Sequence, residues 1–112
     1  MNLNQVVLVG RLTSKPEVKI NETGKKYTFI NLAVPRSFKN SEGIYETDFI
    51  RCVLWTGIAS STSEYCTVGD LVGIKGRLQN RNYVDKNNEN KYITEVIAER
   101  ITFISSNKKN EK

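Results

Sequence analysis

The sequence predicts an all-β domain, a five-stranded Greek-key barrel with one short helix between strands 3 and 4. Three observations carry that prediction. Apolar and polar residues alternate over most of the chain, the period of a strand with one buried face. Breaks rich in Asn and Gly separate these runs at hairpin spacing. One stretch, Gly57 to Cys66, abandons the alternation and places its apolar residues at helical intervals. A chain of 112 residues makes one domain with room for a real core.

Asn4 to Leu12 reads as the first strand, β-branched and interrupted at Gly10, where a glycine inside a strand marks a bulge or a sharp coil. Pro16 then breaks the pairing. Glu17 to Ile20 and Lys25 to Val34 flank Asn21-Glu22-Thr23-Gly24, a hairpin signal, and Ile30, Leu32 and Val34 form the inward set of the second arm. Lys39 to Gly43 is another turn, leading into a strand from Tyr45 to Trp55. Ile58, Ala59, Thr62, Tyr65 and Cys66 recur at helical spacing within a Ser/Thr-rich segment. Val68-Gly69-Asp70 turns the chain into a strand from Leu71 to Tyr83. Asp85 to Asn90 is polar throughout, the pattern of a long, mobile hairpin tip, and Tyr92 to Ile104 makes the last strand. We divide the chain into a domain at 1–104 and a short polar tail at 105–112. Five strands in this order, with a helix after the third, match the oligonucleotide-binding barrel, whose strand 2 and 3 face and flanking loops hold the ligand.

Seventeen Lys and Arg against twelve Asp and Glu give a net charge of +5. The excess lies in the first third, where seven basic residues up to Lys39 meet only Glu17 and Glu22. The net charge by itself says only that anionic partners are not repelled, and its distribution makes the field lopsided. There is no apolar run near 18 residues and no basic-then-apolar start, so neither a membrane span nor a signal peptide is expected, and the cytoplasm is the expected compartment. Cys52 and Cys66 read as reduced, buried small hydrophobes. With no histidine anywhere, a zinc site would need carboxylate ligands and the commonest general base is missing. No cofactor, no metal and no catalytic residues are expected.

Along Tyr45 to Trp55, successive side chains point to opposite faces, which puts Phe49, Arg51 and Trp55 together and Ile50, Cys52 and Leu54 opposite them. From Leu71 to Tyr83, Val72, Ile74, Gly76 and Leu78 alternate with Lys75, Arg77, Gln79, Arg81 and Tyr83. A stripe of this chemistry offers cations to phosphates and ring faces to bases. Core aromatics beside a solvated basic sheet face produce the same alternation, which alone does not separate the two readings.

Several blocks in order make the sequence familiar: Asn4 to Leu12; Asn31 to Val34 with Arg36 and Phe38; Asp48 to Trp55; Gly76 to Tyr83; and Tyr92 to Val96. Over about Asn4 to Ile104 the chain resembles the bacterial single-stranded DNA-binding protein family. The resemblance implies four stacking positions, at Phe38, Phe49, Trp55 and Tyr83, all aromatic as the family requires. It implies phosphate contacts from Arg36, Arg51, Lys75, Arg77 and Arg81, side chains that can equally serve solubility. It also implies sequence-independent binding and protection of single-stranded DNA in replication, recombination, repair or DNA uptake. Assembly as a homotetramer through the edge of the first strand is implied too, and there Val6 with Leu8, or else Val7 with Val9, would seek a partner.

Two departures qualify the match. After Trp55 the chain has Thr56-Gly57, where members similar to this one carry a basic pair. At the end it runs Asn107 to Lys112, where full-length members continue through a linker to an acidic tip that recruits replication and repair enzymes, so that recruitment is not carried over. Two rival classes follow. An interaction module would keep the barrel and work by assembling with a replication protein or a longer paralogue. A nuclease would need clustered carboxylates, yet Glu42, Glu46 and Asp48 lie along one strand without a partner nearby in sequence.

Overall fold

The computed structural model describes residues 3–106. In chain order the elements are β1 (Val6–Leu12), β2 (Lys19–Ile20), β3 (Lys26–Lys39), β4 (Tyr45–Trp55), α1 (Thr56–Tyr65), β5 (Leu71–Val84) and β6 (Asn90–Ser105). Strand neighbours run β1-β5-β6-β4-β3-β2, and β1 pairs again with β3. That second pairing closes the five long strands into the barrel the sequence predicts, with the helix after the third of them. β4 and β6 meet in parallel at Cys52↔Val96 and Val53↔Ile97; the other pairings are antiparallel.

Alternation builds the core. Leu12, Ile30, Leu32, Leu54, Val72, Ile74 and Val96 turn inward and are essentially excluded from solvent. Burying each such side chain contributes about 1.5–3 kcal/mol. Ala59 and Cys66 join them from the helix and its end. Both cysteines are free and buried. Burial pushes the Cys52 thiol up to about 12, so it behaves as a small hydrophobe.

Three hairpins share one turn chemistry. Asn21 Oδ1 accepts from the Thr23 and Lys25 amides, Asn40 Oδ1 from Glu42 and Ile44, and Asp85 Oδ1 from Asn87 and Glu89. In each turn the residue three places on is left-handed: Gly24 at φ 87°, Gly43 at 79° and Asn88 at 65°. Asn and Asp are selected at the first position because a short side-chain carbonyl can bond its own backbone two residues ahead. Gly and Asn suit the fourth because they tolerate positive φ.

The structure corrects several expectations. Gly10 is not at a bulge, since β1 pairs with β5 in unbroken register from Val6↔Gly76 to Arg11↔Leu71. It is glycine because β1 crosses close to β3 there: a Cβ would lie 2.5 Å from the Ala33 carbonyl oxygen. β3 does not stop at Val34; it continues past Pro35 to Lys39, with a register shift between the two. The arm expected from Glu17 shrinks to Lys19–Ile20. The tip expected to be long and mobile is the five-residue turn Asp85 to Glu89, since β5 runs to Val84 and β6 starts at Asn90. α1 begins at Thr56 and ends at Tyr65, one residue before each expected end. Leu78, expected inward, is 48% exposed, and its backbone N–H and C=O are both bonded by the Asn4 side chain. Val6 and Leu8 pack on the core, and Val7 and Val9 are the exposed pair. Of the 105–112 tail, β6 takes in Ser105, and residues 107–112 lie outside the described residues. No helix among the described residues is long and apolar enough to cross a membrane.

Candidate nucleic-acid interface

Register assembles one outer face from four strands. Tyr27, Phe29, Asn31 and Ala33 of β3 lie opposite Trp55, Val53, Arg51 and Phe49 of β4. The parallel join sets Val53 beside Ile97 of β6, and β6 in turn sets Ile97, Glu95 and Ile93 opposite Arg77, Gln79 and Arg81 of β5. Directly paired residues share a face. Phe49, Arg51, Trp55, Arg77 and Arg81 therefore stand on one surface, as alternation predicts.

Phe38 and Tyr83 sit farther out. The segments carrying them, Pro35–Lys39 and Leu78–Val84, are exposed on both faces, so they extend past the core as hairpin arms. Phe38 is 66% exposed, Phe49 67% and Tyr83 44%. Trp55 is half-buried and has a neighbour the sequence reading missed: the Tyr27 ring, 5.3 Å away and tilted by 42°. Tyr27 also meets Phe29 edge-on at 5.4 Å. These rings, with Val53 and Ile97 beneath and Asn21, Gln79, Arg81 and Glu95 around, line a cleft of about 240 Å³. Their signal was in the sequence, since Tyr27 and Phe29 alternate with the inward Ile30 and Leu32.

The basic residues are organised by carboxylates. Glu95, only 3% exposed, accepts from Arg51 Nε at 2.9 Å and from Arg81 Nε at 3.1 Å and Nη2 at 3.3 Å. Burial works to raise the Glu95 carboxyl, and hydrogen bonds from Arg81 and Arg51 outweigh it, holding the group below the usual carboxylate range. The same bond raises Arg81. Arg51 lies over Phe29, its guanidinium carbon 3.8 Å from the ring centroid, and Arg81 is 5.9 Å from the Tyr83 ring. Arg77 bonds Gln79 at 2.6 Å and approaches Glu99 at 3.8 Å.

Arg36 is clamped on the exposed β3–β4 arm by Asp48 at 2.9 Å and Glu46 at 2.8 Å. Its hydrogen bond holds the Asp48 carboxyl below the usual range. So Glu46 and Asp48, weighed in the sequence as possible metal ligands, bind a guanidinium instead. Lys75 stands apart from the arginines, opposite Val7 of β1 and Arg100 of β6, and no carboxylate among the described residues lies within ion-pair distance of it. Four arginines held on or beside a surface of rings can contact phosphates without first being ordered, which lowers the entropic cost of binding.

The model of the single-strand binding protein family matches residues 3–104. Single-stranded DNA-binding protein B of Bacillus subtilis is 45% identical over 101 residues, covering 90% of this chain and 89% of that one. Single-stranded DNA-binding protein 3 of Listeria innocua is 42% identical over 104 residues, 93% of this chain, which spans only 65% of that relative's length. Among solved structures, the Plasmodium falciparum SSB in complex with ssDNA superposes with a TM-score of 0.82 at 26% identity, covering 94% of this chain and 97% of that chain.

Proposed function

The chain belongs to the single-strand binding protein family, and from that membership we propose that it binds and shields single-stranded DNA with little base preference and no catalytic step. The observation that carries the reading is the shared outer face of β3, β4, β5 and β6, where the exposed Phe49 and the half-buried Trp55 stand beside ordered guanidinium groups. Bases stack on Phe38, Phe49, Trp55 and Tyr83, each contributing about 1–3 kcal/mol. Arg36, Arg51, Lys75, Arg77 and Arg81 follow the phosphates and displace condensed counterions. Duplex DNA hides its bases in its own stack, so geometry selects the single strand.

The working unit in this proposal is a homotetramer in the cytoplasm. Among the described residues, β1 from Val6 to Gly10 is paired on its β5 side alone, and it reaches β3 only at Arg11 and Leu12. A free strand edge carrying Val7, 72% exposed, and Val9, 49% exposed, supports pairing with a second copy. A competition assay tests the binding claim: unlabelled single strand displaces a labelled dT oligomer and duplex of equal length does not. Equal displacement by duplex refutes it.

A further inference from the structure

The cleft on the outer face of β3, β4, β5 and β6 is outside the four stacking positions, apart from sharing Trp55. We infer that it is an additional subsite, which holds one base of the bound strand against Tyr27 with the adjoining phosphate on Lys19. The inference rests on reading the chain as a single-strand binder and adds to it a site on β2 and β3.

Three features of the cleft argue for a base. Its walls are aromatic: Tyr27 stands between Phe29, at 5.4 Å and 72°, and Trp55, at 5.3 Å and 42°. Neither neighbour lies parallel to Tyr27, so neither forms a stack with it. The floor is apolar, with Val53 buried to 3% exposure. The volume, about 240 Å³, is below the roughly 300 Å³ where drug-sized pockets begin, which suits one planar ring system.

A cation is in place for the phosphate. Lys19 is the register partner of Tyr27 across the β2–β3 ladder and is exposed, so both side chains leave the sheet on one face. Their Cα atoms are thus one strand spacing apart, about 5 Å, with Lys19 beside the cleft and not in its lining. Arg51 covers Phe29 at 3.8 Å and, with Arg81, is bonded to Glu95. Phe29 therefore serves as wall, and Tyr27 is the ring left to receive the base.

Binding of a short dT oligomer is measured by titration for the wild type, Tyr27→Phe, Tyr27→Leu and Lys19→Gln, each over a range of salt, with thermal melts alongside. Tyr27→Leu keeps apolar packing against Trp55 and removes the ring face. The subsite predicts about tenfold weaker binding for Tyr27→Leu, wild-type binding for Tyr27→Phe, and a salt slope for Lys19→Gln shallower by about 0.7, one phosphate contact. Weakening by Tyr27→Leu alone upholds the base subsite and removes Lys19 from it. Wild-type affinity in a folded Tyr27→Leu overturns the subsite while single-strand binding stands. If Tyr27→Leu melts below the assay temperature, Lys19→Gln decides alone, and an unchanged salt slope overturns the inference. A wild type that does not bind the oligomer overturns the single-strand reading itself, and the subsite with it.

Discussion

The Glu95 carboxylate lies 2.9 Å from Nε of Arg51, forty-four residues earlier in the chain, on the outer face of the barrel. A buried anion on an outer face is costly unless it is paired, and the second guanidinium, from Arg81, completes the pairing. The carboxyl is held below its ordinary value, so its contribution to stability is present above the unfolded carboxylate range, near pH 4.3, and is lost as the pH falls through the folded value. Glu95→Gln should cost about 1–3 kcal/mol at neutral pH. The difference in melting temperature between wild type and Glu95→Gln should shrink as the pH is lowered below that range. A constant gap down to acid pH would show that the charge of Glu95 does not stabilise the fold.

Asp48 and Glu46 hold Arg36 on an exposed arm, so a phosphate must compete with two carboxylates for that guanidinium. Asp48→Asn removes one competitor. Exposed pairs contribute little, so the melting point should barely move. Affinity for a dT oligomer should rise at low salt, and the gain should fade as salt screens it. Unchanged affinity at every salt concentration would mean that Arg36 does not meet phosphate.

Much of this was legible in the sequence, and the rest failed for identifiable reasons. Alternation gives the faces of β4 because Ile50, Cys52 and Leu54 have a barrel interior to fill. Asn21, Asn40 and the left-handed glycines mark two hairpins because that turn chemistry is local. The extent of β3 is not local: Pro35 reads as a strand end, and the strand continues because β4 still pairs with it at Pro35↔Thr47 and again at Lys39↔Tyr45. The Arg51–Glu95–Arg81 network joins three strands and has no signature in any one. The proposed stacking quartet rests on resemblance, since Phe38 and Tyr83 lie on arms where both faces are exposed and alternation carries no information about burial.

Gly10 shows the same limit for a single residue. Its place mid-strand suggests a bulge, yet the constraint comes from β3, twenty-three residues on, whose Ala33 carbonyl oxygen would lie 2.5 Å from an added Cβ. Backbone does not yield as a side-chain tip does. Gly10→Ala should destabilise by about 2 kcal/mol or more, within the range of overpacked interiors. A thermal melt matching wild type would show that β1 and β3 can separate at no cost.

If the exposed Val7 face and free β1 edge join copies of the chain, a charge there should divide the assembly. Val7→Glu leaves the monomer fold nearly unaffected, because the side chain is 72% exposed and such positions tolerate substitution within about 0.5 kcal/mol. Sedimentation at micromolar concentration should find the wild type as a tetramer and Val7→Glu as a smaller species. A wild type sedimenting as the 12.8 kDa monomer would remove the assembly proposal and leave the binding proposal intact.

Trp55 is the only tryptophan, so its fluorescence reports on one place on the outer face. Its ring is half-buried, with Tyr27 tilted beside it at 5.3 Å, and the remainder borders the cleft. A base stacked on an indole quenches its emission, and titration with a single-stranded oligomer should therefore quench strongly and saturably. Trp55→Ala should weaken binding by about 1–3 kcal/mol, the contribution of one stack. It should also lower the melting point moderately, because Tyr27 loses its cross-strand partner. Trp55→Phe separates the two effects: a smaller ring keeps the contact with Tyr27 and part of the stack, so stability should recover more fully than affinity. Emission that is blue-shifted and indifferent to DNA, in a protein that unfolds on Trp55→Ala, would assign Trp55 to packing alone and leave Phe49 as the β4 ring that meets the strand.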